Sequence, residues 1–302
     1  MEWVSRTIVW KYYGPYVLAG VVLLGALLFW LLWTPITGTL AVTVISEDGA
    51  VRAATVDVRT LSVDYYPLSN PQTALIAAVP SPTGVGTAYL TRTREKVMRV
   101  SVSTVESADI GAVAAVAPTA SVPQWSKEGT SIAFSTQAST TSAPESWTVL
   151  RAVKSGDALT VGRGARPYPS PNQRTYALTS RGIALLSYSD VEPTVVVASP
   201  VPVPVSTPFA VSQDGMRAAW VAPADKSLQV FENVNGYFVP IALIPGVALQ
   251  TLVFSPDGKY LIGGEAGDDG TVLKVVHIRR EAVSVIGSVP GFLELHAWRY
   301  EN

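Results

Sequence analysis

The distribution of apolar positions divides the chain into two regimes. From Tyr16 to Trp33 the sequence YVLAGVVLLGALLFWLLW is apolar almost without interruption, and no charged residue occurs between Lys11 and Glu47. Beyond Gly38 the apolar residues fall into short runs such as TSIAFS, MRAAWVA, SLQVFENV and TVLKVVHI, each bounded by Gly, Pro, Asp, Asn or Ser. A period of two in runs of four to eight residues, rich in Val, Ile and aromatic side chains, predicts strands rather than helices. The first regime predicts one helix and the second an all-β body.

The 18 residues from Tyr16 to Trp33 reach about 27 Å as a helix, close to the roughly 30 Å hydrocarbon core of a bilayer. Tyr16 stands at one end of the run and Phe29, Trp30 and Trp33 at the other, in the manner of aromatic rings held at headgroup level. Pro35 and Gly38 then stop the helix. Arg6 and Lys11 precede the run, and the first charges after it are Glu47 and Asp48. That asymmetry predicts a cytoplasmic N-terminus, with the rest of the chain outside the cell membrane. Residues 1–15 are thus expected to be a short cytoplasmic tail and 16–36 an uncleaved signal anchor. A cleaved signal peptide fits less well, because the run is longer than a usual h-region and TPITGTLA is a poor cleavage site.

The strand-rich part repeats. Five segments share an apolar pair, a serine, a turn and a β-rich run, beginning at Val79, Pro123, Pro167, Pro208 and Leu252. Their serines are Ser81, Ser126, Ser170, Ser212 and Ser255, separated by 45, 44, 42 and 43 residues. A partial sixth copy falls at the C-terminus, where Arg299 lies 44 residues after Ser255. The turn chemistry is explicit in Ser255-Pro256-Asp257-Gly258: proline presets φ, aspartate bonds locally, and glycine takes a positive φ. Gly129 and Gly215 hold the same place in two other copies. Room for about four short strands in each ~43-residue repeat is the arithmetic of a propeller blade.

The segments WSKEGTSIAFS and FSPDGKYLIGG resemble the repeat of TolB-type, WD-like β-propellers over roughly residues 72–302. The resemblance implies a propeller fold, and TolB-type propellers bind protein partners in the bacterial periplasm. Closure of the ring can be read from the two ends of the repeat region. LELHAWRY supplies one strand, and residues 37–71 supply GTLAVTVI, AVRAATVDVRTL and SVDYY. Pairing them in one composite blade would protect two exposed sheet edges and give six blades. The rival arrangement is a separate β-module beside a five-bladed ring.

Composition narrows the function. The chain has no cysteine, two histidines (His277 and His296) and a formal net charge of −1. This excludes thiol chemistry, a disulfide framework and a histidine-rich metal cluster, and gives no basic face for nucleic acid. No G-x-S-x-G elbow is present. Gly162-Arg163-Gly164-Ala165 is too short for a phosphate loop and reads as an inter-blade turn. Glu265-Ala266-Gly267-Asp268-Asp269-Gly270 reads as a hairpin turn rather than a calcium loop, and Arg279-Arg280-Glu281 and Arg92 to Lys96 as charged strand edges or hairpin tips. Ser135 to Ser146 is expected to be a polar surface loop, and Val197 to Pro208 a polyproline connector.

No catalytic, cofactor-binding or metal-binding residue is therefore expected. The resulting expectation is a non-enzymatic interaction module or accessory subunit of a membrane or envelope complex. It would sit in the bilayer through residues 16–36 and engage another membrane or envelope protein. The alternative is a ligand- or glycan-binding propeller, less readily a lyase, with its site at the channel mouth.

Overall fold

The computed structural model describes residues 19, 21–23, 36–66, 73–93, 98–104, 107–116, 121–138, 145–152, 158–169, 175–186, 192–204 and 206–300. Residues 1–37 and 38–302 form two separate compact units.

The second unit is an all-β propeller built from four-stranded antiparallel sheets. Five blades each use four consecutive strands. The first holds β4 (Thr73–Pro80), β5 (Gly86–Thr93), β6 (Met98–Thr104) and β7 (Ser107–Val116); the second holds β8 (Gln124–Trp125), β9 (Ser131–Ala138), β10 (Glu145–Ala152) and β11 (Ala158–Arg163). The third comprises β12 (Ala165–Pro169), β13 (Thr175–Thr179), β14 (Gly182–Leu186) and β15 (Thr194–Ala198). The fourth comprises β16 (Phe209–Val211), β17 (Arg217–Val221), β18 (Leu228–Val234) and β19 (Tyr237–Ile244). The fifth comprises β20 (Thr251–Phe254), β21 (Tyr260–Gly267), β22 (Gly270–His277) and β23 (Ala282–Pro290). One further sheet is composite, with the order β24-β1-β2-β3, joining β24 (Phe292–Arg299) to β1 (Thr39–Ile45), β2 (Val51–Asp57) and β3 (Val63–Tyr65).

In this closing sheet Thr39 lies opposite Arg299 and Ile45 opposite Phe292, with one bulge after Ala41. Two chain segments more than 240 positions apart are thus zipped into one ladder, and neither Leu40 nor Leu293 is left exposed.

Contacts between neighbouring sheets run round the ring. The first and second blades share a cluster of Val79 and Leu90 with Trp125, Ile132 and Phe134. Val161 of the second blade packs with Ala177 and Leu186 of the third. Tyr176 and Ile183 of the third pack with Phe209, Trp220 and Phe231 of the fourth. Leu228, Val230 and Ile244 of the fourth meet Leu252, Leu261 and Val276 of the fifth. The fifth blade reaches the closing sheet through Thr251, whose hydroxyl accepts the Leu295 N–H at 2.9 Å, and Thr271, which accepts the Leu293 N–H at 2.8 Å. The closing sheet in turn meets the first blade where the Thr43 hydroxyl donates to the Ile76 carbonyl at 2.7 Å. The core is therefore inter-blade: each sheet buries both faces against its neighbours, as propeller packing requires.

Several local expectations need adjustment. The stretch Ser135 to Ser146 is not a continuous loop, since β9 runs to Ala138, β10 begins at Glu145, and Glu145 pairs with Ala138. A Ser- and Thr-rich composition suggested a loop, but threonine fits the pleat and the ladder supplies backbone partners; residues 139–144 lie outside the described residues. The Val197 to Pro208 connector begins inside β15 and is tied down, with Val203 buried and its N–H donated to the Ser180 carbonyl at 2.9 Å. The glycine-rich link at 162–165 leaves only Gly164 between β11 and β12. The acidic hairpin turns at Asp268-Asp269, with Gly267 paired to Gly270. Ile278–Arg280 forms a 3-10 turn between β22 and β23, and Glu281 takes a left-handed φ of 50°. Of the basic stretch 92–96, residues 94–96 lie outside the described residues.

No helix among the described residues is long and apolar enough to cross a membrane. The anchor positions Tyr16, Trp30 and Trp33 lie outside the described residues. Within the first unit, Val21, Val22 and Leu23 are helical, and each is more than 60% exposed.

Candidate functional site

The repeat turns gather at one end of the propeller. Each described copy is built on its serine. The N–H of the residue three positions on donates to the serine carbonyl: Gly84 to Ser81, Gly129 to Ser126, Gly215 to Ser212 and Gly258 to Ser255, at 2.8–3.1 Å. The serine N–H then donates to the carbonyl five residues on, closing the turn onto the next strand. The hydroxyl completes the knot. In Ser255 it donates to the Asp257 carboxylate at 2.7 Å and accepts the Tyr260 N–H at 3.0 Å; Ser212 does the same with Asp214 and Arg217, at 2.6 and 2.8 Å. Ser170 lies outside the described residues.

Gly129 has a second reason beyond the positive φ of 67–68° that it shares with Gly215 and Gly258. A Cβ on Gly129 would stand 2.7 Å from the Ser81 hydroxyl and closer still to that of Thr83, and one on Gly258 would lie 3.8 Å from the Ser212 Cβ. Each of these turns nests against the turn of the blade before it, and Arg217 adds a hydrogen bond to the Gly258 carbonyl. The period of about 43 residues thus sets an inter-blade contact as well as a strand connection. Gly84 belongs to this set and was missed, because its Ser-Pro-Thr-Gly turn lacks the acidic residue.

Removing the Ser255 hydroxyl should cost about 1–3 kcal/mol, because the fully buried Ser255 side chain both accepts the Tyr260 N–H and donates to the Asp257 carboxylate. Burial pushes the Asp257 carboxyl up, but hydrogen bonds from Ser255, the Lys259 N–H and Tyr300 outweigh it and hold the group below the usual carboxylate range. Tyr300, through burial and then the charge of Asp257, is pushed up to about 12. A carboxyl lowered in the folded state stabilises above its unfolded pKa of about 3.9 and loses that contribution as pH falls through the folded value. Thermal melts of wild type and Asp257→Asn between pH 2 and 7 check this. The gap between them is expected to be widest near neutrality and to narrow in acid; a gap independent of pH would contradict the assignment.

Inside the ring of turns lies the channel mouth. All six sheets, or the turns that follow their strands, contribute to its lining: Pro80 and Pro82, Gln124 and Trp125, Tyr168, Val211 and Gln213, Phe254, and His296 with Trp298. The space between them is about 540 Å³, part of it open solvent. The aromatic side chains are committed to the wall. Trp125 donates its indole N–H to the Val79 carbonyl at 2.7 Å, and the Tyr168 hydroxyl donates to the Phe209 carbonyl at 3.2 Å. Burial pushes the Tyr168 phenol up to about 12, so it stays neutral.

His296 is 96% buried in this lining, and no partner for it could be read along the chain. The fold supplies one: its Nε2 lies 2.6 Å from the Thr43 hydroxyl. Because Thr43 spends its only proton on the Ile76 carbonyl, it must accept from Nε2–H, which fixes the tautomer and leaves Nδ1 as an acceptor. Burial first, then the charge of Arg166, lower the His296 pKa against the opposing pull of Glu294. Arg166 and Glu294 form an ion pair at 3.6 Å between β12 and β24. Those strands belong to the third blade and the closing sheet, which stand opposite one another in the ring, so the pair crosses the channel. Arg166 sits where the register of β12 against β13 shifts, at a φ of 51°, a conformation that costs a non-glycine residue roughly 1 kcal/mol or more. Thr43, Arg166 and Glu294 were not foreseen, since residues from three distant segments meet only when the ring closes. His277, by contrast, lies on the outer strands, stacked edge-on against Tyr260 at 5.0 Å.

Among the described residues no group of three His, Asp or Glu side chains could hold a metal ion. The mouth offers backbone carbonyls, the Gln124 and Gln213 amides and apolar walls.

This architecture is a β-propeller whose fold is similar to that of TolB. Among solved structures, TolB from Acinetobacter baumannii aligns with a TM-score of 0.66 at 12% identity, covering 87% of this chain and 67% of that one. An oligogalacturonate lyase in complex with manganese aligns at 0.56 and 9% identity, covering 83% and 78%. A chain of the nidogen/laminin complex aligns at 0.56 and 6% identity, covering 87% and 98%. At such identities the likeness is one of fold. No family model matches the sequence, and no curated protein matches it.

Proposed function

We propose that this protein is a non-enzymatic interaction module, an accessory subunit that holds another membrane or envelope protein at the mouth of its propeller channel. We read the composite closing sheet as the sixth blade of the ring. The observation that carries the proposal is convergence: side chains from all six sheets line one mouth framed by nested turns. Loops held by a rigid scaffold are where propellers recognise partners. TolB-type propellers, which this fold resembles, bind protein partners, and that supports the same reading here.

Residues 16–36 are proposed to anchor the protein in the cell membrane, with the N-terminus cytoplasmic and the propeller outside. Two features support this. The 18-residue run carries no charge. Within it the consecutive helical residues Val21, Val22 and Leu23 are each more than 60% exposed; at about 100° per residue they point to different sides of the helix, which is an apolar surface all round.

Co-purification in mild detergent tests both parts. The full-length protein is expected to bring down a stoichiometric partner, and Gln124→Arg with Gln213→Arg, at half-buried mouth positions, to lose it while melting normally. Retention of the partner by this double variant would overturn the mouth as the binding site. Replacing residues 1–36 by a cleavable signal peptide should release the propeller from the membrane fraction; continued membrane association after carbonate washing would overturn the anchor.

A further inference from the structure

We propose that Thr43, His296, Glu294 and Arg166 form an acid-sensitive latch that keeps the propeller channel closed at neutral pH and loosens it when His296 takes up a proton. The proposal adds regulation to the mouth described above, and its test needs no partner.

The geometry sets the resting state. His296 Nε2–H, the Thr43 hydroxyl and the Ile76 carbonyl form one relay of 2.6 and 2.7 Å across β24, β1 and β4. It therefore spans the C-terminal strand, the N-terminal strand and the adjoining blade, at the seam where the ring closes. Thr43 is 2% exposed and His296 4%, so water cannot readily replace either partner. A neutral imidazole satisfies this relay fully. An imidazolium adds an Nδ1–H that this relay does not satisfy, and it puts a charge on a side chain that is only 4% exposed.

The charges that face His296 decide where that proton leads. Glu294 lies on its own strand, and Arg166 and the neutral Tyr168 lie on β12 across the channel. The lining contributed by β4, β8, β16 and β20 brings no ionisable side chain to the mouth. Protonation thus places a second cation beside a single carboxylate that is already paired with Arg166 at 3.6 Å and is about two-fifths exposed. Competition between His296 and Arg166 for Glu294 weakens the bridge across the channel. The Arg166 side chain, about one-third exposed, is then free to turn towards solvent. One proton passes from hydronium in solvent to His296 Nδ1, so that an N–H bond forms as an O–H bond breaks and water is released; no other covalent bond changes.

The linkage has a definite sign. A histidine lowered in the folded state contributes stability that is present above its unfolded pKa, about 6.5, and is lost as pH falls below it.

Two measurements test the latch. In the first, NMR titration of the His296 ring signals in the propeller compares wild type with Glu294→Gln and Arg166→Gln. Losing the carboxylate is expected to lower the midpoint further, and losing the guanidinium to raise it. A midpoint that moves with neither substitution would show that neither charge reaches His296, and that outcome overturns the proposal. In the second, amide hydrogen exchange at pH 7.5 and 5.0 is expected to show at least tenfold faster exchange in acid within 39–45 and 292–299, beyond the intrinsic change with pH. His296→Gln, which keeps an N–H donor for Thr43 but cannot titrate, should abolish that difference. Equal acid sensitivity in His296→Gln and wild type would overturn the proposal, whether or not a partner binds the mouth.

Discussion

A chain that stops after Val289 is expected to lose cooperative thermal unfolding. The deletion removes β24 and with it Leu293, Leu295 and Trp298, each no more than 5% exposed. At about 1.5–3 kcal/mol per large buried side chain, these three account for roughly 5–9 kcal/mol, comparable with the 5–15 kcal/mol that stabilises a typical domain. The deletion also strips β1 of one of its two neighbours from Thr39 to Ile45, leaving only β2 beside it and an open sheet edge. Thr251 and Thr271 lose the N–H donors of Leu295 and Leu293, and the Thr43 hydroxyl loses His296. Circular dichroism melts check this: the truncated chain should show a broad, shallow transition. A sharp melt within a few degrees of the full-length protein would mean that the five consecutive blades fold without the closing sheet.

The second large effect is expected from Trp220→Ala. Trp220 is 2% exposed on β17 and stands in the cluster that joins the third and fourth blades. Its ring meets Phe231 edge-to-face at 6.5 Å, and its indole N–H donates to the Gln229 side chain at 3.0 Å. Truncating a fully buried tryptophan costs about 3–5 kcal/mol, because transfer energy is lost and a cavity remains. In a chain of this size that lowers the melting temperature by on the order of 10 °C. Tyr237→Ala, in the same blade but 78% exposed, should change stability by less than about 0.5 kcal/mol. Similar losses for both variants would show that the inter-blade cluster is not where stability is concentrated.

Much of the architecture could be read along the chain because it rests on local chemistry repeated at a fixed interval. The Ser-x-x-Gly turns combine a positive φ with a side-chain hydroxyl that serves two backbone bonds, and few residue combinations do both. Spacing them by about 43 residues predicts a strand after each turn, and the register of β16 with β17 and of β20 with β21 follows from that turn. The pairing of LELHAWRY with GTLAVTVI was also accessible, since an incomplete copy at one end and surplus strands at the other each lack a partner. The hairpin between β9 and β10 was harder to read. Serine and threonine signal a loop by composition, while their backbone is free to enter a ladder.

The candidate site was far less legible. His296 was visible as one of two histidines, but nothing near it in sequence says what it touches. Thr43 lies 253 positions away, and Arg166 lies on a different blade. None of the three carries a motif, because each serves a geometry that exists only around the channel. The nesting of Gly129 on Ser81 was hidden for the same reason: the sequence asks for glycine on account of φ, and the neighbouring turn asks for it again on account of space.

By itself the sequence determined the apolar N-terminal run, the repeat interval and the turn chemistry, all of which depend on side chains within a few positions of one another. The tertiary structure alone decided which tautomer His296 holds and that Arg166 and Glu294 bridge the channel. Those outcomes depend on closing the ring, which brings residues far apart in the chain within hydrogen-bonding distance. Local propensity carries no record of such pairings, because their energy is gained only once the blades have packed.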